Sequence, residues 1–173
     1  MIFVNFVLNN SVPTIVSPIF LGALFCAFKK PDLGLRPIAV DLKLRRLIAK
    51  IVCLKIRDNL GNFFRPFQLG FGTKNGSEAI AHAIRRYISF PHTIEKLLIK
   101  LDYSNAFNMI NRNTILLRAK EHIPQFYNFI AQCYKNPSYL SFGDKIILSQ
   151  RGVQQEDPLV KAAVKVGGGK LSG

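Results

Sequence analysis

The sequence predicts an α+β domain, on three observations. Leu35 to Val40 is a short run rich in Ile and Val and reads as a strand. Leu44 to Arg57 carries apolar residues at helical spacing, and two short apolar runs meet at Gly143-Asp144 as a β-hairpin. At 173 residues the chain is one domain's worth of protein, and its 49% hydrophobic content supports a buried core rather than disorder.

The elements follow in order. Met1 to Phe28 is apolar and uncharged, yet no basic segment precedes it, and Asn9, Asn10, Pro13 and Pro18 interrupt it. Its longest clean apolar run, Ile19 to Phe28, is far shorter than the ~20 residues of a spanning helix. It therefore reads as buried strand or helix material, with no membrane role. After the Asp32-Leu33-Gly34 turn comes the Leu35–Val40 strand. In the helix that follows, Leu44, Leu47, Ile48, Ile51 and Leu54 form an apolar stripe. Lys43, Lys50 and Arg57 fall seven apart, with Arg46 one turn from Lys50, and read as a basic stripe on the opposite face.

Asn75 or Ser77 is suited to cap a second helix running to about Tyr87, before Pro91. Lys96 to Leu101 is a compact apolar run ending in an acid, and reads as a strand. Helices are expected from Asn111 to Lys120 and from Pro124 to Tyr134, the latter with Pro in its first turn. Tyr139 to Phe142 and Lys145 to Leu148 form the hairpin. Residues 1–160 make one domain. Lys161 to Gly173, with three consecutive glycines and no core pattern, reads as an unstructured tail.

Charge narrows the partners. There are 24 Lys plus Arg against 10 Asp plus Glu, a formal +14. No Lys or Arg precedes Lys29, whereas nine lie between Lys29 and Arg57 against two acids, Asp32 and Asp41. Such a balance favours nucleic acid over its rival, an anionic membrane surface. Cys26, Cys53 and Cys133 are scattered and odd in number, which fits a reducing compartment. His82, His92 and His122 do not cluster with them, so zinc has no support.

The chemically informative stretch is LLIKLDYSNAFNMINR, Leu97 to Arg112. A carboxylate at the end of a buried strand is placed to hold a hard cation such as magnesium at a sheet edge. Taken alone, Asp102 reads rather as a helix cap and Phe107 as core packing. LDYSNAFN closely resembles motif A of the reverse transcriptases of non-LTR retrotransposons. Three further segments resemble the same family in the same order: FKKPDLGLRPIAVDLKLRRLIAKIV (Phe28 to Val52), QLGFGTKNGSEAIAHAIRRYI (Gln68 to Ile88) and GVQQEDPL (Gly152 to Leu159).

The resemblance implies a right-hand polymerase fold, here the fingers and part of the palm, acting on an RNA or DNA template-primer and deoxynucleoside triphosphates with Mg2+. It implies that Asp102 is the catalytic, metal-binding carboxylate. Phe107 becomes the ring under the sugar that leaves no room for a 2′-hydroxyl. Arg36, with Lys29 and Lys30 beside it, grips the triphosphate, for which a guanidinium fork is suited. Gln155 lies beside the nascent base pair. Lys43, Arg46, Lys50 and Arg57 are expected to track nucleic-acid phosphates. Nucleus or cytoplasm is the implied location.

Three departures bear on activity. The motif B segment has Glu156 where the family has Gly, adding bulk and negative charge beside an anionic substrate. Asp41 stands where the family usually has Gly, read as a turn adjustment. Nothing after Leu159 resembles the approach to motif C, whose Asp pair completes the metal site, and one Asp cannot hold two magnesium ions. The expectation is therefore a reverse transcriptase fragment inactive as it stands, or alternatively a non-enzymatic, basic nucleic-acid-binding remnant.

Overall fold

The computed structural model describes residues 2–29, 31, 34–91, 95–101, 106–154 and 157–159. The chain begins with α1 (Ile2–Leu8) and a short helix α2 (Ser17–Phe20). Strands β1 (Ala23–Lys29) and β2 (Leu35–Asp41) pair antiparallel, from Ala23 opposite Asp41 to Lys29 opposite Leu35. Helices α3 (Lys43–Phe64), α4 (Gly76–Ser89), α5 (Ala106–Met109) and α6 (Arg112–His122) follow. A 3-10 turn, Pro124–Phe126, then leads into α7 (Tyr127–Tyr134). The chain closes on the hairpin β3 (Ser138–Phe142) and β4 (Lys145–Ser149), with Gly143 at φ +55° in its turn. One four-stranded mixed sheet results, in the order β2-β1-β3-β4, with β1 and β3 parallel. The α+β class is as expected.

The core lies on one side of α3. Ile48, Ala49, Val52, Ile56, Leu60 and Phe64 recur every three or four residues and are buried. They meet Ile115 and Ala119 of α6, and Phe129, Ile130 and Cys133 of α7. The buried face is not the stripe read from the sequence. Leu47 and Leu54 are 53% and 67% exposed, Leu44 is exposed too, and only Ile48 of that set enters the core. The helix runs seven residues past Arg57, and over its full length the stripe ending in Leu60 and Phe64 is the longer one. The exposed leucines therefore interleave with Lys43, Lys50 and Arg57 on a single solvent face.

Other segments also differ from expectation. Val7 and Leu21 enter the core, but Ile2 is 90% exposed and Phe3, Phe6 and Ile19 are also outside it. The apolar N-terminus is thus only partly buried. Helix α4 starts at Gly76, after Asn75 in the left-handed region, and Asn75 makes no side-chain cap bond. Residues 96–101 form no strand; they pair with no described strand, and Leu97, Leu98, Ile99 and Leu101 are exposed. An apolar run becomes a strand only when another strand accepts its backbone. The expected tail, 161–173, lies outside the described residues.

Candidate functional site

A buried arginine organises the interior. Arg45 sits on the core face of α3, one turn before Ile48 and Ala49, and is 1% exposed. Its Nη1 donates to the Leu21 carbonyl at 2.7 Å, to Asp41 Oδ1 at 2.9 Å and to Gln154 Oε1. Its Nη2 donates to Asp157 Oδ2 at 2.6 Å. Asp157 also accepts from the Tyr134 hydroxyl and from the Leu159 amide at 2.9 Å. The end of β2, the start of α3, the end of α7 and the chain after β4 are thereby tied to one guanidinium.

A buried cation costs several kcal/mol of lost hydration, so it survives only with charge and hydrogen bonds around it. Burial pulls the Arg45 pKa down, but Asp157 leads the neighbours that together hold it above its ordinary value. Burial pushes the Tyr134 phenol well above its usual range and the Cys133 thiol up to about 12. Asp41 is therefore more than a turn adjustment: it is a buried counter-ion one helical turn from Arg45.

The segment leaving β4 is held by a second arginine. Arg112, at the start of α6, donates from Nε to the Gly152 carbonyl at 2.7 Å. From Nη1 it reaches the Ser149 carbonyl at 2.9 Å, and from Nη2 the Ser149 hydroxyl at 2.8 Å. The Val153 amide donates to the Phe107 carbonyl at 2.8 Å. Gly152 has φ +63°, and a Cβ there would stand 2.5 Å from the Asn108 carbonyl oxygen, so glycine alone fits this approach.

These ties enclose a cleft of about 410 Å³. One wall is the sheet, through Phe25, Ala39, Leu140 and Leu148; the other is Asn108 and the 149–154 segment. An apolar wall facing amide and guanidinium groups suits a flat heterocycle carrying polar edges.

The expected site residues are only partly gathered here. Lys30, Asp102 and Gln155 lie outside the described residues. Arg36 is placed on β2 opposite Phe28, and Lys29 ends β1. Phe107 is on α5, half-buried and packed against the core. Lys29 and Phe107 do not line the cleft, whereas Pro37, Asn108 and Gln154, chain neighbours of Arg36, Phe107 and Gln155, do. Lys43, Arg46 and Lys50 share a shallow surface depression with Leu47. Arg57 is exposed, 3.4 Å from Asp58, and so contributes little to stability.

Arg45, Arg112 and Tyr134 were not singled out by sequence. The available signal was position: Arg45 falls on the face of α3 that carries Ile48, Val52 and Ile56, where a charge needs partners.

Among the described residues no group of three or more His, Cys, Asp or Glu gathers, and Asp157 is committed to Arg45 and Tyr134; Asp102, the expected magnesium ligand, lies outside them. Also among the described residues, no helix is long and apolar enough to cross a membrane. Compared with family models, curated proteins and solved structures, the chain finds no match in any of the three.

Proposed function

We propose that these residues are the fingers and first palm portion of an RNA-directed DNA polymerase of the non-LTR retrotransposon type. The four ordered sequence blocks motivate the reading. The observation that carries it is the junction of the Phe107 carbonyl with the Val153 amide, which joins the motif A-like and motif B-like segments beside the β1–β2 hairpin. Three segments far apart in sequence thus border one cleft of nucleotide size.

In this reading the resemblance assigns Lys29 and Arg36, on β1 and β2, to the triphosphate, and gives Phe107 the selection against a 2′-hydroxyl, exerted beside its cleft-lining neighbour Asn108. Arg112 and Arg45 keep the 149–154 wall in register, acting through the backbone and Gln154 rather than on substrate. Magnesium supplies the Lewis acid for phosphoryl transfer in such polymerases.

Taken by themselves, the 173 residues are expected to extend no primer. Purified protein, an RNA template with annealed primer, deoxynucleotides and magnesium test this, with Asp102→Ala as control. Absence of extension by both proteins is the expected result. Extension lost on Asp102→Ala contradicts the claim that the chain carries an incomplete metal site.

A further inference from the structure

On the far side of Gln150 and Arg151 from the apolar cleft lies a second cleft, of about 450 Å³. Gln150 and Arg151 line both. The second is polar and basic: Arg112, Lys135 and Arg151 border it together with Asn113 and Asn136, and no acidic residue lines it among the described residues. The cap of α6 is not counted toward it, because the Asn113 amide already donates to Asn111 Oδ1.

Arg112 is the informative group. It is half-buried, and its described acceptors are all neutral: the Ser149 carbonyl and hydroxyl and the carbonyls of Arg151 and Gly152. Those bonds fix the guanidinium plane without cancelling its charge. Arg45 offers the contrast, being neutralised by two carboxylates within the same interior. Lys135 and Arg151 are exposed at the rim of the cleft. A fixed, partly desolvated cation beside two mobile ones in a concavity concentrates positive potential. Phosphate oxygens are the complementary chemistry.

We infer that the Arg112–Lys135–Arg151 cleft binds a backbone phosphodiester of single-stranded nucleic acid, with an adjoining base entering the apolar cleft across Arg151. The two clefts are joined by Gln150 and Arg151, which gives one polar and one apolar compartment in succession along a strand. Phe25 supplies an aromatic surface for the base, and only an unpaired base can enter. The inference does not rest on the polymerase reading: a base of the strand and a deoxynucleotide would compete for the apolar cleft, and the phosphate contacts of the basic cleft need neither nucleotide binding nor catalysis.

The test is fluorescence anisotropy of labelled oligothymidylate against the full chain, across a salt series. For single strands log K falls with log salt by about 0.7 per phosphate contact. Lys135→Ala with Arg151→Ala is expected to weaken binding and flatten that slope by about 0.7, the share of the one phosphate held in the cleft. Both residues are exposed, so the variant is expected to keep its fold, checked by circular dichroism. Lys43→Ala with Lys50→Ala, on the exposed face of α3, is the comparison. An unchanged slope in the Lys135/Arg151 variant overturns the inference, as does failure of the unaltered protein to bind. A slope lost only in the Lys43/Lys50 variant also overturns it, by moving the phosphate contacts to α3. Inorganic phosphate that displaces the oligonucleotide at equal concentration overturns the single-strand assignment.

Discussion

Nη2 of Arg45 lies 2.6 Å from Oδ2 of Asp157, an ion pair buried at both ends between residues 112 positions apart. No local pairing rule leads to it, yet it closes the interior. It joins the first turn of α3 to the chain beyond β4, and Tyr134 and Gln154 add further hydrogen bonds to the pair.

Removing the guanidinium leaves Asp41 and Asp157 buried without their cation. Arg45→Met is expected to destabilise the protein by about 3–5 kcal/mol, the usual consequence of breaking one side of a buried pair. Urea denaturation measures it. A loss below about 1 kcal/mol would mean that the pair is solvated, like a surface bridge.

Gly152→Ala tests the hold on the 149–154 segment. Its φ of +63° and the 2.5 Å approach to the Asn108 carbonyl make any side chain strained. A cost of about 1–3 kcal/mol is expected from the backbone alone. Arg112→Lys adds an independent check, because an ammonium cannot span the Ser149 and Gly152 acceptors as the guanidinium fork does. Equal stability of both variants with the parent would count against this anchoring.

Alkaline pH is expected to weaken the fold. Cys133 is neutral in the core, with its pKa pushed up to about 12 by burial, and Tyr134 is raised likewise. In the unfolded chain the thiol ionises near its ordinary value, about 8.5, and the phenol near 10. Above those values the unfolded state binds fewer protons than the folded one, so stability falls with rising pH. The loss begins above about pH 8.5 and continues toward pH 12 for Cys133. Denaturation midpoints at a series of pH values test this. Cys133→Ala should flatten the first part of the decline, and a midpoint constant through pH 11 would contradict the burial of both groups.

Residues 96–101 and the outer strand β4 both expose apolar side chains, among them Ile99 at 67% and Ile146 at 65%. Unpaired backbone beside exposed apolar residues invites association between chains. Sedimentation should show concentration-dependent self-association, reduced by Leu98→Lys with Ile99→Glu. A monomer at all concentrations, melting reversibly, would oppose this.

Local pattern made much of the fold legible. The β3–β4 hairpin was marked by two apolar runs around Gly143-Asp144, and β2 by its Ile and Val content. Helix α6 begins where Asn111 caps it, as its sequence suggests. The face of α3 was not legible, because Leu44, Leu47 and Leu54 compete with Ala49, Val52 and Ile56 and only tertiary packing chooses between them. Lys96–Leu101 misled for a related reason, since strand propensity cannot supply a partner strand. The contacts of the candidate site were not legible in the sequence. Asp102 and Gln155 fall outside the described residues, and the arginines that organise the neighbourhood lie 112 and 40 positions from their partners.

The polymerase reading is tested most directly by competition against a fluorescent deoxynucleotide analogue, using the chain as it is. The analogue should bind saturably, and dUTP should displace it at least ~10-fold better than UTP, a difference of about 1.4 kcal/mol. Phe107→Ala should bring the two competitors together, and Arg36→Ala should weaken both. No saturable binding, or equal displacement by dUTP and UTP in the unaltered protein, would contradict the assignment of this cleft to a deoxynucleotide.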